Sequence, residues 1–201
     1  MTEKVKRIGI FGGSFDPPHL GHLVIAELAR RTLHLDFVYL VPAYKPPHKA
    51  GKHASTARDR LAMTKLSAQG NAGLRVSDIE IKRRGLSYTV DTVRAFRRTF
   101  PSAKLFLIIG GDSLAQFHSW KQPDMILSIA DLAVYRRPAP GSQKLDPKKR
   151  KTHRIKGPLM HIASSEVRKR LAAGDPVDEL VRKNVLAYIR RRKLYQRSTT
   201  E

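Results

Sequence analysis

Residues Gly12 to Leu23 read GGSFDPPHLGHL, a glycine pair followed by two prolines and then two histidines. His19 and His22 stand three residues apart, so on a helix they share one face. Glycines after a strand let backbone N–H groups approach a ligand closely. A helix start then offers unpaired N–H groups and the positive end of its dipole, which together favour phosphate. Pro17 and Pro18 stiffen the entry into that helix. Three chemistries fit the histidines. They are a metal-binding pair that has no obvious third ligand nearby, a pair of satisfied structural side chains, or two donors to phosphoryl oxygens. Combined with Gly12, Gly13 and the helix start, the pattern favours phosphate. It is neither the G-x-G-x-x-G fingerprint nor a P-loop, because no G-K-[ST] follows.

The elements around this turn fix where it sits. Arg7–Phe11 is a short apolar strand, and Leu20, Leu23, Val24, Leu28 and Leu33 follow at near-helical spacing. Phe37–Pro42 is a second strand, and a basic Pro-Pro loop comes after it. Ser55 is expected to cap a helix running to Leu66. LRVSDIEIKR alternates and is predicted to be a strand, with a helix from about Ser87–Thr89. Leu105–Ile109, Gly110-Gly111 and Asp112-Ser113 repeat the opening order of strand, glycines and helix. DLAVYRRP is a further strand, and Pro138 to Pro158 is expected to be a long surface loop. LMHI is a predicted last strand, SSEVRKRLAAG a helix ended by Gly174, and Asp175-Pro176 the start of a final helix. Alternating strands and helices imply an α/β fold, a doubly wound and mostly parallel sheet with helices on both faces. In such sheets ligands bind at the carboxyl ends of the strands, where both glycine turns would lie.

Composition bounds the rest. The 201 residues are 41% hydrophobic, ordinary for a globular chain, and read as a single domain with a small C-terminal helical portion over about 162–195. No apolar run reaches the roughly 20 residues of a membrane span, and the first residues lack a signal-peptide pattern. A cytoplasmic protein with no membrane partner is the expectation. With no cysteine, disulfides, thiolate nucleophiles and cysteine-ligated metals are excluded. The outlier is charge: 39 Lys+Arg against 17 Asp+Glu, a net +22. Such a chain attracts polyanions. The densest basic runs, Lys148–Lys156 and Arg190–Arg197, do not interleave aromatics as a single-strand stacking platform does. A specific nucleic-acid partner is therefore not expected, and the sequence sets no oligomeric state.

GGSFDPPHLGH resembles the G-x-F-x-P-x-H-x-G-H signature of the HxGH nucleotidyltransferase superfamily, in which this chain would be one Rossmann-like nucleotidyltransferase domain. A second signature of that superfamily, close to I-S-S-T-x-I-R, is matched by IASSEVR, Ile162 to Arg168. Ser165 keeps the hydroxyl of the threonine position, while Ala163 replaces the first serine beside Ser164. By itself IASSEVR is a serine-capped helix with a surface arginine. Its pairing with the first signature gives it a phosphate role. KPPHK, SYTVDT, GGDSLAQFHSW and YRRP resemble, in order, segments of bacterial nicotinate-nucleotide adenylyltransferases, so the likeness spans about Arg7 to Leu194.

That resemblance implies adenylyl transfer from ATP to nicotinate mononucleotide, giving nicotinate adenine dinucleotide and pyrophosphate. The same chemistry on nicotinamide mononucleotide or phosphopantetheine is the alternative. It implies His19, His22 and Arg168 as the catalytic set. Gly12, Gly13, Ser14, Phe15, Gly110, Asp112, Ser164 and Ser165 would bind ATP. Lys45, Lys49, Tyr88, Thr89, Trp120 and Arg137 would bind the nicotinate nucleotide. Trp120, the lone tryptophan, is on its own as well suited to the core. Magnesium would be held by the ATP phosphates rather than by the protein, with no permanently bound cofactor.

Overall fold

The computed structural model describes residues 5–47, 54–135, 151–158, 160 and 162–196. Six parallel strands form one sheet in the order β3-β2-β1-β4-β5-β6. They are β1 (Arg7–Gly13), β2 (Phe37–Pro42), β3 (Leu74–Val76), β4 (Lys104–Gly110), β5 (Asp131–Tyr135) and β6 (Thr152–Ile155). β1 and β4 are neighbours although two strands and four helices separate them in sequence. The chain winds outward from β1 in one direction and from β4 in the other. The carboxyl ends of these two strands therefore flank the switch point, where a crevice opens.

Residue alternation along the strands divides the core. Ile8, Ile10, Leu105, Leu107 and Ile109 face one side, with Val90, Val93 and Phe96 of α4 (Thr89–Thr99) and Ile126 of α6 (Pro123–Ile129). Val38, Leu40, Phe106 and Ile108 face the other, with Ala26 and Ala29 of α1 (Leu20–Thr32) and Ala68 of α2 (Ala57–Ala68). Burying both faces is what makes parallel strands read as apolar runs. α1 crosses the sheet on alanines, not on the leucines that mark its periodicity; Leu23 and Leu28 are only partly buried.

A third cluster joins the C-terminal portion to the rest. Val167 of α7 (Ser164–Ala173), Val177, Val181, and Val185, Leu186 and Ile189 of α8 (Lys183–Arg191) pack on Met63 of α2. Gly174 ends α7 at φ 81°, a left-handed conformation that suits glycine. Among the described residues no helix is long and apolar enough to cross a membrane.

Four local expectations are corrected. LRVSDIEIKR is strand only over β3 and then turns helical as α3 (Ile79–Arg83). Within its alternation lies an i,i+4 ion pair, Asp78 with Lys82 at 3.2 Å, and Glu80 turns inward. The last strand is β6, inside the stretch expected to be loop, because only Ile155 of its four residues is buried and its pattern is faint. Of LMHI, Met160 and Ile162 are not strand, and the other two residues lie outside the described set. Asp175-Pro176 opens no helix. That segment forms a turn over 178–180, with Val177 and Val181 buried and the Leu180 carbonyl accepting from the Leu20 N–H at 2.8 Å, and α8 begins only at Lys183. Thr56, not Ser55, caps α2 by accepting from the Asp59 N–H.

Candidate active site

β1 runs through both glycines, and the loop from Ser14 to His19 then carries the chain to α1. The middle of this loop is clamped from distant parts of the chain. Ser164 Oγ donates to the Pro17 carbonyl at 2.9 Å, and Arg168 Nη1 donates to the Asp16 carbonyl at 2.7 Å. The two signatures, 152 residues apart at Asp16 and Arg168, thus meet directly. Asp16, only 2% exposed, accepts from Ser55 Oγ, Tyr195 Oη and the Ala54 N–H. Burial pushes its carboxyl up, but these donors and the Arg168 charge outweigh burial and hold it below the ordinary 3.8.

His19 caps α1 and its ring is buried, stacked on His22 with centroids 3.7 Å apart. A Cβ on Gly21 would lie 3.0 Å from His19 Nδ1, so the glycine between the histidines makes room for that ring. His22 Nδ1 accepts from the His19 N–H at 3.2 Å. An accepting Nδ1 leaves the ring proton on Nε2, which makes His22 a neutral donor at that atom. Phe15 has φ 49° and is buried, its ring 4.9 Å from that of His22. Its ring also meets that of Phe11 edge-on, with centroids 5.9 Å apart. The expected cradle of helix N–H groups is partly spent, since Leu20 N–H bonds Leu180.

Arg60 carries the other side of the loop. It is 1% exposed and donates to the carbonyls of Ser14, Ala43 and Tyr44. Burial lowers the guanidinium pKa, opposed chiefly by the charge of Asp16. This buried cation ties the end of β1 to the end of β2.

Beside the loop lies a cavity of about 490 Å³. Gly12, Gly13 and Ser14 form one wall; Tyr88, Thr89 and Trp120 line the rest, with Glu80 and Lys121 as the charged lining groups. Ser87 builds its mouth: its hydroxyl accepts from the Tyr44 N–H at 2.9 Å and its N–H donates to the Lys45 carbonyl. This places Pro46 and Pro47 on the cavity wall, with Lys45 exposed beside them. Lys121 Nζ lies 4.2 Å from the Tyr88 ring centroid. Trp120 both lines the cavity and packs on Phe117. Glu80 is 6% exposed and accepts from Thr92 Oγ1 at 2.5 Å; burial pushes its carboxyl up against that bond and one from Ser87.

The structure therefore gathers the expected residues into two groups. His19, His22, Ser164 and Arg168 stand at the loop, while Tyr88, Thr89 and Trp120 stand in the cavity, and Gly12 to Ser14 join them. Gly110 is the N-cap of α5 (Gly111–Ala115), and Asp112 and Ser165 are exposed. A Cβ at Gly12 or Gly110 would meet no protein atom within 4 Å, so the edge is open at both strand ends. Lys49 and Arg137 lie outside the described residues. Sequence reasoning missed Arg60, Tyr195, Glu80 and Lys121. Only Lys121, next to the tryptophan already singled out, carried any signal.

The family model of cytidylyltransferase-like proteins matches residues 10–170. The protein named "Probable nicotinate-nucleotide adenylyltransferase" of Salinibacter ruber is 40% identical over 190 residues, covering 94% of this chain and 97% of that one. A protein of the same name from Shouchella clausii is 40% identical over 191 residues, with 95% and 97% covered. In fold, the chain is similar to the nicotinic acid mononucleotide adenylyltransferase of Plasmodium falciparum complexed with NaAD. The TM-score is 0.75 at 21% identity, covering 94% of this chain and 97% of that one. The family match spans both signature segments, and the relatives match nearly end to end, so this chain belongs to the nicotinate-nucleotide adenylyltransferase family of the cytidylyltransferase-like proteins.

Proposed function

We propose that the two groups at the sheet edge hold the two substrates of adenylyl transfer from ATP to nicotinate mononucleotide, a step of NAD biosynthesis. ATP lies along the β1 loop with its triphosphate between His19, His22 and Arg168. Gly12, Gly13, Ser14, the Phe15 backbone and Gly110 border it, with Ser164, Ser165 and Asp112 as hydroxyl and carboxylate partners. The mononucleotide fills the cavity, its ring against Trp120 and Tyr88 and its carboxylate at Thr89 and the backbone of that helix start. Lys45 closes on the acceptor from the mouth; Lys49 and Arg137 are assigned to the same substrate. The observation that carries this reading is the direct clamp of Ser164 and Arg168 onto the histidine loop, next to a cavity of mononucleotide size.

The chemistry needs no protein nucleophile. The acceptor phosphate is already anionic and attacks the α-phosphorus in line, and pyrophosphate leaves. Catalysis then rests on alignment and on donors aimed at the developing charge. His22 Nε2–H donates to a phosphoryl oxygen. The Arg168 fork holds departing oxygens, where planar bidentate contact suits them. Among the described residues no three His, Cys, Asp or Glu side chains gather as a metal site. Magnesium arriving with ATP would be held by triphosphate oxygens and water and would supply positive charge beside the leaving group. The net +22 draws both anionic substrates in.

Pyrophosphate release tests the reading, with nicotinate mononucleotide, nicotinamide mononucleotide and phosphopantetheine supplied side by side with ATP. The first acceptor is expected to react fastest. Release with none of them rejects the assignment, and a faster rate on another acceptor moves it there.

A further inference from the structure

We propose that Tyr195 is a positioning residue for the triphosphate group, acting through Asp16 on Arg168. The proposal rests on the functional reading above and deepens its ATP half. Past α8 the backbone turns at Lys193 and Tyr195, with φ 50° and 63°, conformations that non-glycine residues seldom adopt. The turn brings the Tyr195 hydroxyl to Asp16 Oδ1 at 2.7 Å, across 179 residues of sequence. The same oxygen accepts from Ser55 Oγ at 2.5 Å, and Oδ2 accepts from the Ala54 N–H at 2.9 Å. Asp16 is thus held at its side chain by the C-terminal segment and the residues just before α2, while its carbonyl receives Arg168 Nη1.

Packing alone does not explain the hydroxyl. A phenylalanine ring would fill the same space beside Met63, and among the described residues the tyrosine adds its bonds to Asp16 and Ser55 and a contact with Met63 Sδ at 3.9 Å. Burial first, and then the Asp16 charge, push the phenol up, which keeps it a donor. A guanidinium anchored at one nitrogen presents its other N–H groups in a fixed direction. Loss of the anchor frees the fork to wander, and the group that suffers is the triphosphate, not the acceptor in its separate cavity.

Tyr195→Phe and Ser55→Ala are each compared with the wild-type full chain by steady-state kinetics and by calorimetric binding of a non-hydrolysable ATP analogue. Each variant is expected to weaken ATP, in KM and in analogue affinity, by about tenfold with the KM for nicotinate mononucleotide unchanged. In an Arg168→Ala background, Tyr195→Phe is expected to add nothing further. Ser55→Ala leaves the C-terminal turn intact, so it carries the test if Tyr195→Phe melts before assay. Analogue affinity unchanged in the folded variants overturns the proposal. So does a fall in kcat with both KM values fixed, the mark of a lost active fraction, or a further ATP penalty on top of Arg168→Ala. A wild-type chain that binds the analogue but is inert with nicotinate mononucleotide condemns the acceptor reading instead.

Discussion

After β1 the loop Ser14 to His19 intervenes before the helix begins, whereas β4 passes from Gly110 straight into α5. In sequence the two junctions look alike: an apolar strand, a glycine pair, a polar residue, a helix. In the structure they are made of different material. The first is fastened by Ser55, Arg60, Ser164, Arg168 and Tyr195, through bonds that span the chain. The second is local. Gly110 caps the short helix, Asp112 is exposed, and Phe117 packs below. Fixed dipoles stabilise developing charge only when they are held before the reaction starts. The first junction is fixed by bonds from distant segments; the second leaves open space at Gly110.

The largest expected effect follows from that difference. His22→Ala at the first junction should lower kcat by roughly a hundredfold or more, the loss typical for one preorganised donor, with the acceptor KM unchanged. Asp112→Asn at the second junction should change the ATP KM only a few-fold and leave kcat near wild type. Steady-state kinetics on both variants settles the contrast. An unchanged kcat in His22→Ala removes the role given to that ring, and equal losses in both erase the distinction between the junctions.

Arg60 extends the comparison to stability. Its two terminal nitrogens serve the carbonyls of Ser14, Ala43 and Tyr44, all at the first junction or the adjoining loop. Arg60→Met keeps the apolar stem but leaves those buried acceptors without their donor. A cost of about 3 kcal/mol in urea denaturation is expected. A cost under about 1 kcal/mol would mean that the loop finds other donors and is less rigid than its bonds suggest.

The same contrast explains what was legible in the sequence. Apolar alternation and glycine punctuation revealed the sheet, its ligand edge and both junctions, because those signals are local. The paired histidines were legible for the same reason. Arg60 was not, since nothing near Arg58-Asp59-Arg60 distinguishes a fully buried guanidinium from its exposed neighbour Arg58. Tyr195 was not either, because its partner lies 179 residues away. β6 hid in a basic stretch where one buried isoleucine carries the pairing with β5, and α3 hid because Glu80 turns inward among apparently alternating residues. Local patterns reveal elements; polar groups buried by distant segments leave no local pattern to read.

Two buried carboxylates sharpen the comparison at its finest scale. Asp16 gathers three donors and a facing arginine, which override burial and hold its pKa below 3.8. Its contribution to stability is therefore present above that ordinary value and fades as pH falls through the lowered one. Glu80, on the cavity side, has burial as its largest influence, and its pKa lies above the ordinary 4.5 despite Thr92, Ser87 and the charges of Arg83 and Arg60. The folded state then holds the Glu80 proton more tightly than the unfolded chain does. Stability falls as pH rises from 4.5 through the raised value, and the full penalty is present above it. Glu80→Gln keeps an oxygen to accept from Thr92 and removes the charge. The variant should match or exceed wild-type stability near neutral pH, with its advantage vanishing as pH is lowered toward 4.5. Urea denaturation across that range reads the difference. A variant less stable than wild type at neutral pH would show that Glu80 is held as a needed anion, like Asp16, and that the cavity side is as electrostatically built as the loop.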